Sequence, residues 1–253
     1  MPGLEQPMTG AGTWSLLSGP TPPAVRLVYA EAHAALGRVE PLDAENRTAG
    51  ETGFAGLLAR VPCFTPSTRI ATERGECPVE ALRPGDRVVT RDNGVQPVLW
   101  AGGSAYGWRD LGLLPVLRPV LIRAGALGDG LPLRDLLLSP NHRILVRSMS
   151  DTGVATGESL VAAHGLVGRP GIEVVAPAAV TYLQLLFARH EAVLADGVWS
   201  ESFHVGPATL SAMPGAARDA VRAVLPELGR AEAPPLAPVR PEISKHEIGA
   251  LHC

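Results

Sequence analysis

From residue 63 onward, short apolar runs rich in Val, Ile and Leu alternate with turn signals, the pattern of strands in an all-β domain. One run covers Thr68–Thr72. A second, Asp86–Arg91, is entered through Pro84-Gly85 and left through Asp92-Asn93-Gly94, a hairpin-type turn. Gln96–Ala101, Val120–Arg123, Leu136–Leu138, Arg143–Val146 and Glu158–Ala162 continue the series. The longest run, Val180–Phe187, is followed by Glu191–Leu194. Asp196-Gly197 then marks a turn before Val198–Phe203. The two ends of the chain read differently. Residues 1–62 hold a Pro/Gly-rich opening, a predicted helix over Ala24–Leu36 and a polar, turn-prone stretch from Asp43 to Gly53. Beyond Gly206, the spacing of Ala217, Ala220, Val221 and Val224 predicts a helix over Ala216–Leu225. A proline-rich connector (Ala233–Pro241) and a predicted terminal helix (Glu242–Leu251) follow. The expected organisation is an N-terminal segment 1–62, a mainly β domain 63–206 and a helical, proline-rich tail 207–253.

Composition narrows the class. The 253 residues are 46% hydrophobic but only 4% aromatic, so the core is expected to be aliphatic. Gly and Pro total 52 residues, which favours many short elements joined by turns. A formal charge of −3 argues against a nucleic-acid-binding surface. No apolar stretch approaches the roughly 20 residues that span a bilayer. The start, Met1-Pro2-Gly3-Leu4-Glu5, lacks the basic and apolar regions of a secretory signal. Location is left open between the cytoplasm and export by a route that needs no signal. Three cysteines, Cys63, Cys77 and Cys253, cannot build a disulfide framework, and no CxxC pair suggests zinc.

The chemistry concentrates around Cys63, in Val61-Pro62-Cys63-Phe64-Thr65 and the stretch through Val79-Glu80-Ala81-Leu82 to Gly85-Asp86-Arg87-Val88. By itself a lone cysteine reads as a small buried hydrophobe. Together with Ser139-Pro140-Asn141-His142, with Phe187-Ala188-Arg189-His190, and with the closing Glu201-Ser202-Phe203, the segment resembles the ordered blocks of Hint domains. These are the autoprocessing modules of hedgehog proteins and inteins, and the bacterial Hint proteins are the most similar. The resemblance covers roughly Cys63 to Gly206. It implies a Hint-type β fold in which Cys63 attacks the carbonyl of Pro62. That N-to-S acyl shift converts the Pro62–Cys63 amide into a thioester.

By the same resemblance His142 protonates the leaving amine and Ser139, where the family usually has Thr, orients the site. His190, Ser202 and Pro62 are accessory candidates. His204 and Cys77 read more simply as a surface histidine and an incidental turn residue, and Asp86 as a turn former. Inteins usually end in His-Asn. Here Glu201-Ser202 stands in that place, and serine cannot cyclise to a succinimide, so cleavage without full splicing is expected. Water or a small nucleophile would then take the acyl group in a single-turnover reaction. The substrate is the chain's own N-terminal segment. No metal or organic cofactor is implied, and oligomeric state is left open. Two rivals stay open: a non-catalytic scaffold that tethers its flanks, separable by whether the Cys63 thiol is activated, and a cysteine hydrolase acting in trans.

Overall fold

The computed structural model describes residues 24–30, 33–42, 45, 52–53, 63–149, 155–206, 209–210, 213, 215–229 and 236–243. The architecture is mainly β, as the alternation of apolar runs and turns predicts. Ala24–Leu36 is a correction: β1 (Ala24–Ala30) and β2 (His33–Leu42) form an antiparallel pair, and β3 (Thr52–Gly53) adds to β2. Val25, Val28 and Tyr29 favour a pleated surface, in line with the pairing of β1 and β2.

The large sheet is built from β4 (Arg69–Thr72), β5 (Gly75–Pro78), β6 (Arg87–Thr90), β7 (Gly94–Pro97), β11 (Arg143–Met149), β12 (Ala155–Ala162), β15 (Ala192–Ala195) and β16 (Val198–Glu201). Its order is β12-β11-β16-β15-β4-β6-β7, with β5 hydrogen-bonded to β4. The late strands β15 and β16 thus lie between β4 and β11, drawing distant parts of the sequence together. Two turns expected from sequence set the register. Gly94 (φ 66°) closes β6–β7, and Asp196 and Gly197 (φ 45° and 84°) close β15–β16 with the positive φ values of a type I′ turn. Asp86 serves its turn as expected, accepting the Arg83 N–H at 2.7 Å. Cys77 lies on β5 rather than in a turn.

A long pair, β8 (Trp100–Gly107) with β14 (Ala179–Leu186), forms the second layer, and β9 (Val120–Ile122) joins β10 (Leu136–Leu138) to β13 (Ile172–Val174). Because β14 is apolar on both faces, it serves three clusters, the third through Leu186. Leu183 and Leu185 meet Phe64, Leu138 and Ile144, while Val180 and Tyr182 meet Cys63, Tyr106 and Leu117. Between β8 and β9 lies an insert that the periodicity does not predict. It comprises α1 (Trp108–Leu113) and a 3₁₀ turn (Pro115–Leu117), and Leu111, Leu114 and Leu117 cover Cys63.

The predicted helix near residue 216 is α2 (Gly215–Val224). Its Val221 packs with Leu186, Phe203, Val205, Leu210, Met213 and Leu225, so the chain beyond Gly206 shares a core with the β domain. The terminal helix expected over Glu242–Leu251 begins instead with an isolated parallel bridge from Glu242 to Leu160, and residues 244–251 lie outside the described residues. Among the described residues no helix is long and apolar enough to cross a membrane.

Candidate functional site

Phe64 is the structural anchor of the site. It bridges Leu138 at the end of β10 and Leu183 in β14, exchanging both backbone hydrogen bonds with Leu183 at 2.9 and 2.8 Å. The Thr65 hydroxyl adds a bond to Leu137 O at 2.8 Å. This pins the residue before it. The Cys63 N–H donates to Ser139 Oγ at 2.8 Å, and the Ser139 N–H returns a bond to Cys63 O at 3.1 Å. A tight turn after Ser139, closed by His142 N–H to Ser139 O at 3.0 Å, brings the His142 ring onto Phe64 with centroids 4.3 Å apart. Sequence positions 63, 139 and 142 thus converge through backbone ladders on both sides.

Burial governs the electrostatics. Cys63 is 3% exposed, and loss of solvent pushes its thiol well above the ordinary range. A hydrogen bond from the Gln184 amide pulls the other way, and the Glu201 charge adds to the rise. His142 is 1% exposed, and burial pushes its pKa down to about 4. The charges of Arg143 and His190 add to that fall, and Glu201 opposes it. Both His142 ring nitrogens are buried without a hydrogen-bond partner among the described residues. Such orphaned groups are costly, and in native proteins they call for an explanation. At neutral pH the resting pair is therefore a protonated thiol and an uncharged imidazole.

Behind His142 lies a charged cluster. Glu201 is fully buried at the end of β16 and accepts the Arg143 backbone N–H at 2.8 Å and its guanidinium at 3.1 and 3.2 Å. His190 Nε2 lies 3.3 Å from Glu201 Oε2, near it but poorly aligned as a hydrogen bond. Burial alone would raise the Glu201 pKa, but His190, Arg143 and His142 together hold it below the usual carboxylate value. The His190 ring stacks on His204 with centroids 4.4 Å apart.

A sequence model of the Hint domain matches residues 62–207, more than half of the chain. The chain belongs to the Hint domain family. Hint domains are self-processing modules, and the matched region begins one residue before Cys63. Solved structures similar to the chain are inteins and intein-like domains. The gp41-1 intein is 12% identical, with 55% of this chain and 96% of that one covered and a TM-score of 0.33. The MchDnaB-1 intein is 14% identical, with 54% and 98% covered and a TM-score of 0.33. A bacterial intein-like domain from Clostridium thermocellum is 12% identical, with 56% of this chain and 98% of that one covered and a TM-score of 0.32. No curated protein matches the chain by sequence.

Within this Hint domain Cys63 and Ser139 are joined by two hydrogen bonds, His142 packs on Phe64, the residue next to Cys63, and His190 lies in the Glu201 cluster. The Ser202 hydroxyl is taken up by the Glu191 N–H at 2.9 Å, in the β15–β16 ladder. Pro62 and Cys253 lie outside the described residues. His204 is half-buried rather than a surface residue, its Nε2 bonded to Leu236 O at 2.6 Å. Gln184, Arg143 and Glu201 escape the sequence reading as site residues. Gln184 and Glu201 are polar residues at inward positions of apolar strands, and that mismatch is the one signal that could have exposed them, whereas the part-exposed Arg143 gives none. Alkylation does not gauge activation here, because a thiol this buried is slow to react whatever its function. Among the described residues no group of three or more His, Cys, Asp or Glu side chains is disposed to hold a metal ion.

Proposed function

We propose that this Hint domain cleaves its own chain at Pro62–Cys63 by an N-to-S acyl shift, without splicing. The observation that carries the reading is Ser139 Oγ at 2.8 Å from the Cys63 nitrogen, the atom that leaves in that reaction. Ser139 fixes the plane of the scissile amide and holds a rotatable hydroxyl beside the nitrogen that gains a proton.

His142 then has two tasks in sequence. As an uncharged ring it accepts the Cys63 thiol proton while Sγ attacks the Pro62 carbonyl carbon. Its low basicity makes the resulting imidazolium a strong acid, which returns the proton to the Cys63 nitrogen as the C–N bond breaks. The Pro62 acyl group is left on sulfur as a thioester and residue 63 carries a free amine. Attack by water or a small nucleophile breaks the carbon–sulfur bond, restores the thiol and releases residues 1–62. No metal or organic cofactor enters these steps.

Three features favour cleavage without splicing. Ser202, where an intein would place its cyclising asparagine, has no amide and its hydroxyl is committed to the Glu191 backbone. The chain beyond it is packed into the core through Phe203, Val205 and Val221, so it is part of the fold rather than a segment to be released. The β1–β3 strands pair with one another, so a cut at residue 62 leaves their ladder whole. The Glu201-Ser202-Phe203 ending fits the bacterial type. Burial of Cys63 at 3% exposure disfavours a hydrolase acting on external peptides.

The test is intact mass of freshly purified protein, wild type beside Cys63→Ala, with excess small thiol. Release of a fragment ending at Pro62 from wild type alone supports the reading. Two intact, folded proteins would leave the non-catalytic scaffold.

A further inference from the structure

The segment Leu236–Ile243 lies beyond the 62–207 region that defines the family, yet it touches the buried cluster behind His142 at several points. Its backbone clips onto the edge of β12. Leu160 N–H donates to Pro241 O at 2.8 Å and Ile243 N–H to Leu160 O at 2.9 Å. Arg240 latches it from outside, paired with Asp92 at 2.7 and 3.0 Å and with Glu158 at 2.9 and 3.1 Å. Leu236 and Ile243 pack against two of the apolar clusters.

Two connections then run inward. Along the first, the Val239 N–H donates to His190 Nδ1 at 3.1 Å. With Nδ1 accepting, the proton of the neutral ring belongs on Nε2, the nitrogen 3.3 Å from Glu201. Along the second, Glu242 Oε1 meets Arg143 Nη2 at 3.0 Å, and the same guanidinium holds Glu201. Leu236 O meanwhile accepts from His204, which stacks on His190. Both routes converge on one carboxylate, Glu201, which also accepts the backbone N–H of Arg143, the residue next to His142, at 2.8 Å.

We propose that Leu236–Ile243 is a positioning strap for the self-processing site: Val239 sets the His190 tautomer and Glu242 steadies Arg143, so that Glu201 is held where it acts on the reacting pair. The family-defining domain is then incomplete without residues supplied some 30 positions after its end. His190 and Glu201 are positioning residues, because neither touches the reacting bond. The inference rests on the cleavage reading for its rate effect but not for its geometry.

The test uses the full chain and two variants remote from the reacting atoms. Val239→Pro deletes the N–H donor to His190, while Arg240→Ala releases the outer latch. Imidazole nitrogen NMR reads the His190 tautomer, amide exchange at Ile243 reports whether the strap stays clipped to β12, and thiol-induced release of residues 1–62 gives the rate. The expected result is an Nε2–H ring in wild type and a shift towards the Nδ1–H form in both variants. Release should slow by about tenfold or more, as when a supporting shell loosens around a reacting geometry. An unchanged His190 tautomer in Val239→Pro with Ile243 still protected overturns the proposal. So does a changed tautomer with an unchanged release rate. If wild type releases nothing, the cleavage reading fails separately, and the His190 tautomer alone decides whether the strap positions the ring.

Discussion

Acidification should destabilise this fold by way of His142, and the size of the effect follows from its burial. The ring is 1% exposed and its pKa falls from 6.5 to about 4 on folding. Between those values the unfolded chain binds a proton that the native protein refuses, so stability rises with pH across this window. Lowering the pH from 7 to 4.5 should therefore remove about 2 to 3 kcal/mol through this group, the larger part of the roughly 3.4 kcal/mol that the full shift represents. The half-buried His204, also depressed by desolvation, contributes with the same sign. Glu201 acts lower. Its folded pKa lies below the ordinary 4.5, so its contribution is present above that value and disappears as pH falls further. The His142 share is isolated with His142→Phe, which keeps a ring against Phe64 but cannot titrate. Urea midpoints at pH 7 and 4.5 measure it. Wild type should lose more stability than the variant by that amount. Equal losses in both proteins would refute the neutral, buried ring on which its role as a base depends.

Other outcomes follow from the same geometry. Ser139→Ala leaves the Cys63 N–H buried without its acceptor, so stability should fall by about 1–3 kcal/mol and fragment release by at least several-fold, with Ser139→Thr close to wild type in both denaturation and cleavage assays. In the folded protein iodoacetamide should modify the half-buried Cys77 before Cys63, and peptide mapping after brief exposure would show the order. Phe64→Ala should cost about 3–5 kcal/mol in urea unfolding, because it opens a cavity between β10 and β14. Gly197→Ala should lower the thermal midpoint, since φ of +84° strains any side chain and its Cβ would come within 2.8 Å of Leu133.

The parts of the fold that were legible in the sequence are those with strong local signals. Asn93-Gly94 and Asp196-Gly197 mark turns, and Asp86–Arg91, Glu191–Leu194 and Val198–Phe203 beside them match strands to within a residue or two, whereas Gln96–Ala101 is split between β7 and β8. The Hint family was legible because three short blocks in order are specific even when each is not. Ala24–Leu36 carries mixed local signals, with Ala, Leu and Glu beside Val25, Val28 and Tyr29, and it is the pairing with β2 that decides between helix and strand. The insert at Trp108–Leu117 was invisible, as its two short helical turns carry no full period. The Glu201 cluster was hidden for another reason. Its members are spread from residue 142 to residue 242 and meet only after β16 inserts between β11 and β15.

The most direct measurement of the central claim is trapping of the thioester with hydroxylamine, followed by mass spectrometry of the N-terminal fragment. Wild type should release residues 1–62 with Pro62 as its hydroxamate, leaving a partner that begins at Cys63 with a free amine, and Cys63→Ala should release nothing. A folded wild type that stays whole under hydroxylamine, or a cut at any other bond, would contradict the account.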